Sequence, residues 1–147
     1  MKFQLIIDEE QEETVVVTAH RRSPLTDRLE ALILEECGTD RLQGHNGDEW
    51  KNLTFDQIEC ITVLGGKTYA VDTQNKQYRL RQRLYELEEV LPAWFIRINK
   101  SALANEKRLD RFAVTYSGGV DAVFKSGFRE YVSRRCFAEI KRRYEGK

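Results

Sequence analysis

FIRINKSALANEKRLDRF, residues 95–112, joins two unlike textures. The alternating run Phe95-Ile96-Arg97-Ile98 reads as a half-buried strand, and it passes directly into the polar knot Asn99-Lys100-Ser101. Apolar residues resume at Leu103, with Lys107, Arg108 and Arg111 close behind. A strand that ends in donors suggests a support that holds polar groups out toward a partner. Ser101 fits the cap of a short helical turn over the residues that follow. Lys100 has no acidic neighbour before Glu106, so nothing local explains it.

Outward from this stretch, the C-terminal part reads as short strands with glycine turns. Strands are expected at 110–116, 119–125 and 128–132, with turns at Ser117-Gly118-Gly119 and Lys125-Ser126-Gly127. A last helix starts at Ser133, and Cys136, Ile140 and Tyr144 recur at a spacing of four, so they are expected to be buried. Upstream, Gly65-Gly66 joins strand 60–64 to strand 67–73, Asn46-Gly47 marks another turn, and residues 77–81 add a strand. A short helix follows, with Leu84, Leu87 and Leu91 inward and Pro92 as its stop. The front of the chain reads as two strands, 2–8 and 14–19, around an acidic turn. A helix then opens at Ser23-Pro24, carries the stripe Leu25, Leu29, Leu32 and Ile33, and stops at Gly38. These elements divide the chain into an acidic β-β-α unit, residues 1–43, and a mainly β domain, residues 44–147.

With 147 residues, 41% of them hydrophobic, the chain can bury one core and a small appendage. No run of 18 apolar residues suggests a membrane span, and MKFQLIIDEE turns acidic too soon for a secretory leader. Cys37, Cys60 and Cys136 are odd in number, match no metal or redox motif, and point to a reducing cytoplasm. The net charge of zero hides an asymmetry. Residues 1–64 carry 6 basic and 14 acidic side chains, whereas residues 97–147 carry 13 and 6. A basic rear half suits an anionic partner.

Catalysis finds little support. His20 and His45 have no ligand-spaced Cys or carboxylate, no phosphate-binding glycine loop occurs, and Glu35-Glu36 and Glu88-Glu89 fit solvated helix faces. No enzyme activity, metal, cofactor or small-molecule substrate is expected. The last helix is more informative. Arg134 and Arg135 occupy its first turn, where the helix dipole disfavours cations unless an anion binds there. Arginine also matches the O6/N7 edge of guanine.

Taken together, F95-I-R-I-N-K-S-A-L-A-N105, I61-T-V-L-G-G-K-T-Y-A-V71, L84-Y-E-L-E-E89 and G127-F-R-E-Y-V-S-R-R-C-F-A-E-I140 resemble the LytTR DNA-binding domain family. The resemblance spans roughly residues 44–147. Asn99 stands where the family usually has His, and Ala104 where a larger aliphatic is common. The resemblance implies a stack of small antiparallel sheets, not a helix-turn-helix, whose loops enter successive major grooves. It places base reading at Lys67, Tyr69, Lys100 and Arg135. Backbone contacts then fall to Asn99, Ser101, Lys107, Arg108, Arg111, Arg129, Ser133 and Arg134.

The front unit is too short for the phospho-receiver that usually accompanies this domain. It resembles instead that of stand-alone regulators, which implies a cytoplasmic bacterial transcription regulator acting as a homodimer on promoter half-sites. A small integral membrane inhibitor encoded alongside is a further implied partner. The rival reading is a protein-interaction module that binds a membrane partner, with vestigial DNA binding. An RNA-binding sheet fits less well, because no exposed aromatic triplet is apparent along the strands.

Overall fold

The computed structural model describes residues 2–36 and 40–145. The expected helix stop at Gly38 and Cys37 lie outside the described residues. Helix α1, Pro24–Glu36, is followed by β1, Arg41–Asn46, and β2, Glu49–Thr54. Then come β3, Ile58–Leu64, β4, Lys67–Asp72, β5, Gln77–Leu80, α2, Leu84–Val90, β6, Phe95–Asn99, and β7, Ala102–Asn105. The chain ends with β8, Leu109–Val114, β9, Val120–Phe124, β10, Arg129–Val132, and α3, Arg134–Glu145. The fold is thus mainly antiparallel β with three helices, as expected.

Seven strands form one sheet in the order β2-β1-β5-β4-β3-β7-β6, and β10-β9-β8 form a second. Alternation along each strand sends side chains to two cores, one on each face of the larger sheet. On one face, Ile61, Ala70, Leu80 and Leu103 pack with Leu84, Leu87 and Leu91 from α2 and its end. On the other, Cys60, Val71, Ile96, Ile98, Ala102 and Ala104 meet Ala122, Phe124 and Val132 of the smaller sheet and Ile140 of α3. The small residues Ala102 and Ala104 let the second layer come close. Gly44 serves a similar end, since a Cβ there would lie 2.7 Å from the Tyr78 Cβ. The Gly65-Gly66 turn has φ of 57° and 77°, a left-handed conformation costly for any residue with a Cβ.

Several expectations need correcting. Residues 102–105 are not a helical turn but β7, which pairs with both β3 and β6. A run of four with Leu103 inward on one face and two alanines on the other meets the period of a strand, not a helix. Ser101 therefore caps no helix. Asn105, which closes the motif, is fully buried. Its amide donates to the carbonyls of Ile58 (2.8 Å) and Phe55 (3.4 Å) while its Oδ1 accepts from the Lys107 N–H. Tyr144 is not buried but 47% exposed, its hydroxyl 3.5 Å from Glu106, whereas Ile140 is buried and Cys136 half-buried.

The front of the chain departs most. No strand occurs over 2–8 or 14–19, because an isolated two-stranded hairpin has no sheet to complete it. Phe3, Ile7 and Val16 remain 89%, 81% and 83% exposed. Helix α1 forms where expected, with Ser23 Oγ accepting from the Thr26 N–H at 3.3 Å. It buries no residue, though. Leu25 and Leu32 of the expected stripe face solvent, and Leu34 is the residue that packs on the core. The expected division at residues 43–44 falls inside β1, whose six residues all pair with β2.

Candidate nucleic-acid interface

The Asn99-Lys100-Ser101 knot is a tight turn between β6 and β7, and it is held from three sides. A bulge between Arg97 and Asn99 turns the Asn99 side chain inward, where it is 7% exposed. Its Nδ2 donates to the Tyr131 carbonyl at 2.6 Å and to Glu130 at 3.3 Å, and its Oδ1 accepts from the Ser101 N–H at 2.7 Å. Arg97 donates to the Lys100 carbonyl at 2.6 Å while its guanidinium is ion-paired with Glu88 of α2. The Ser101 carbonyl accepts from the Val63 N–H of β3 at 2.9 Å. The backbone of Lys100 is thus fixed to both sheets and a helix, yet its side chain is exposed.

The strand registers carry this turn into a longer rim. Pairing of Thr62 with Ala102 brings the end of β3 beside the start of β7. The Gly65-Gly66 turn and Lys67 therefore lie at the same end of the sheet as Lys100. From the second sheet, the Ser133 N–H donates to the Ile98 carbonyl at 2.8 Å, which brings the start of α3 to that end too. Ser133 caps α3, its Oγ accepting from the Cys136 N–H at 3.2 Å. Arg134 and Arg135 follow, both exposed. Lys67, Lys100 and Arg134 form no ion pair among the described residues. Arg135 lies 3.9 Å from Glu139, with its side chain 91% exposed, a pairing worth little in water. Tyr69 stands on the same face of β4 as Lys67, two residues further in and half-buried.

Other expected contacts sit elsewhere. Lys107 and Arg108 follow the far end of β7, opposite the Lys100 turn. The Lys107 ammonium lies 4.2 Å from the Trp94 ring centroid. Arg108 lies 3.3 Å from Glu59, a fully buried carboxylate that also accepts from the Ser126 hydroxyl and, at 3.2 Å, the Ser126 N–H. Arg111 pairs with Asp110 at 2.6 Å and Arg129 with Asp121 at 3.2 Å, both on the second sheet. The far-end arginine thus holds the sheets together. Sequence reasoning missed Arg97 and the Glu59–Ser126–Arg108 cluster, whose partners lie far apart in the chain. An arginine within the opening strand was the available signal for the former.

No helix among the described residues is long and apolar enough to cross a membrane, and no cluster of three metal-ligating side chains occurs among them.

Known proteins resemble this chain in sequence and in fold. The family model of the LytTr DNA-binding domain matches residues 48–145. Proteins of Staphylococcus aureus strains MSSA476 and MW2, each named as an uncharacterized HTH-type transcriptional regulator, are 27% identical over 146 residues. The alignment covers 97% of this chain and 97% of each of them. A solved LytTr DNA-binding domain from Bacillus cereus superposes with a TM-score of 0.63 at 21% identity, covering 74% of this chain and 98% of that one. That likeness is one of fold. In this chain strands separate all three helices, so no helix-turn-helix is present among the described residues.

Proposed function

The chain belongs to the LytTR family of DNA-binding domains, and from that membership we propose that it regulates transcription by reading duplex DNA sequence-specifically along one rim. The observation that carries this reading is the convergence of the Gly65-Gly66 turn, the Lys100 turn and the start of α3 at one end of two packed sheets. Three cationic side chains there have no carboxylate partner among the described residues, and the turn beneath Lys100 is braced by hydrogen bonds to both sheets. Rigidity matters because a groove contact displaced by about an ångström loses its hydrogen bonds.

Lys100 and Arg135 read base edges in this account, Lys67 and Tyr69 supply the third contact, and Arg134 neutralises phosphate. Asn99, Ser101 and Ser133 act through the backbone they hold. The far-end cations Lys107, Arg108, Arg111 and Arg129 move from direct contact to structural work or general field. The exposed apolar residues Phe3, Ile7 and Val16 favour a partner for the front segment. A second copy on the adjoining half-site fits this best, and a membrane-embedded inhibitor is the other reading. The site of action is the cytoplasm, where promoter DNA is found.

The test is fluorescence anisotropy on a duplex selected by the full chain from a random-sequence pool. Arg135→Ala is expected to cost about 1–3 kcal/mol on the selected duplex and little on a scrambled one. Lys100→Ala should make one base position of each half-site indifferent. Equal losses on both duplexes in both variants would reduce the rim to a phosphate-binding edge.

A further inference from the structure

The smaller sheet covers only part of the larger one. Its core contacts come from β3, β6, β7 and Val71 of β4, which leaves β5, β1 and β2 open on that face. The open face carries a row made by direct cross-strand pairs: Tyr69 opposite Arg79, Arg79 opposite His45, and His45 opposite Trp50. No sequence pattern signals this row, because its members come from four separate strands. The His45 and Trp50 rings lie 4.7 Å apart between centroids, and Trp50 is 59% exposed. One rung nearer the rim, the pairing of Thr68 with Leu80 sets Lys67 beside the exposed Arg81.

His45, Trp50, Arg79 and Arg81, with Gln82 and Glu86, line a cleft of about 730 Å³. Two of its lining residues, Arg79 and Gln82, each hold a buried polar atom, Nε and Oε1, with no hydrogen-bond partner. Neither Arg79 nor Arg81 joins an ion pair among the described residues. Glu86 is the one carboxylate on the wall, and it already accepts from the Arg83 N–H at 3.1 Å. Two neighbouring guanidinium groups without a carboxylate partner among the described residues suit an oxyanion, since a charge-assisted bond to arginine is among the stronger polar contacts. The aromatic pair beside it offers flat apolar surface of the kind that lies against a sugar ring.

We infer that this cleft is an additional DNA contact, in which Arg79 and Arg81 bind backbone phosphates flanking the half-site and Trp50 packs against the adjoining sugar. The inference rests on the duplex-reading function proposed above and extends its footprint from Lys67 of β4 across β5 and β1 to β2. It assigns no base preference to the cleft, since phosphates carry none.

The experiment uses the full chain and the selected duplex in two lengths, one ending at the last base pair read and one extended by about 10 base pairs on each side. The wild-type protein should bind the extended duplex more tightly and with a steeper salt dependence. Arg81→Gln, at an exposed position, should lower the magnitude of the log-salt slope by about 0.9 on the extended duplex and leave the short one unchanged. Arg79→Gln combined with it should roughly double that change, with thermal melting of the variants checked in parallel. Trp50 fluorescence should lose accessibility to acrylamide on the extended duplex alone, Trp94 being buried in both states. If Arg81→Gln matches wild type on both lengths and Trp50 stays quenchable, the cleft is no DNA site while rim reading survives. If the wild-type chain selects no sequence at all, both readings fall.

Discussion

Replacing Asn99 separates bracing from direct contact. Its side chain makes two short hydrogen bonds, to the Tyr131 carbonyl and from the Ser101 N–H, and a longer one to Glu130, all at 7% exposure. At about 1 kcal/mol for each short bond, with a further penalty for a carbonyl left without a donor, Asn99→Ala should cost about 2–3 kcal/mol. That is less than the roughly 5–15 kcal/mol typical of a domain, so the variant should remain folded though measurably weaker. Asn99→Asp should cost more at neutral pH. Its carboxylate keeps the Ser101 bond but sets negative charge against the Tyr131 carbonyl and Glu130. The same repulsion raises the carboxyl pKa above its unfolded value of about 3.9. The folded state then holds the extra proton, so the Asp penalty should grow as pH rises through the folded pKa and shrink toward pH 4. Urea titrations of both variants at pH 4.5 and 7 measure this. On DNA, either variant should lose affinity, because the turn that presents Lys100 loses its brace. An unaltered urea midpoint together with a loss of DNA affinity in Asn99→Ala would refute the bracing argument, since the side chain would then act by direct contact.

Arg108→Ala should lower stability by about 1–3 kcal/mol, because buried Glu59 loses its cation; the figure is held down by the 30% exposure of the arginine side chain and by the Ser126 bonds that remain. Adding Glu59→Gln should recover part of that loss in the urea midpoint, and DNA binding by the refolded variant should keep its salt slope. Deletion of residues 1–36, which hold 4 basic and 9 acidic side chains, should leave a folded fragment with intact base preference and higher non-specific affinity at low salt. Circular dichroism and anisotropy check it, and an unfolded fragment would show that the Leu34 contact carries more of the core than its partial burial suggests. Burial, with Glu130 and Glu59 adding to it, pushes the Cys60 thiol well above its ordinary pKa. Native protein at pH 8 should therefore leave Cys60 unmodified by iodoacetamide until denaturant is added, as mass spectrometry of the peptides would reveal. Because the folded state retains that proton, stability should begin to fall only above about pH 8.5.

Local signals made most of the β architecture legible. Glycine pairs marked the hairpins, Pro92 ended α2, Ser23-Pro24 opened α1, and the charge asymmetry pointed to the basic rear half. Period and turn chemistry are properties of adjacent residues, so they survive in the linear chain. The family motif named Lys67, Lys100 and Arg135 as expected contacts, and strand register with the Ser133–Ile98 bond brings those three positions to one end of the sheets. The misreadings share a different cause. β7 is a four-residue strand whose identity depends on two neighbours, and the front strands failed for want of any.

Whether a cation faces a partner or a buried carboxylate is likewise not written locally. Arg108 and Arg135 look alike in sequence, yet one meets Glu59 across 49 positions and the other stands 91% exposed. Asn99 stands next to Lys100 but turns inward because a bulge shifts its register toward the second sheet. Sequence by itself determined which segments become strands, turns and helices, and that the rear half is cationic. Tertiary structure decided which cations share one rim and which groups brace them. Strand register and sheet packing are long-range choices, fixed by burying two cores at once, and they alone set the distances between residues far apart in the chain.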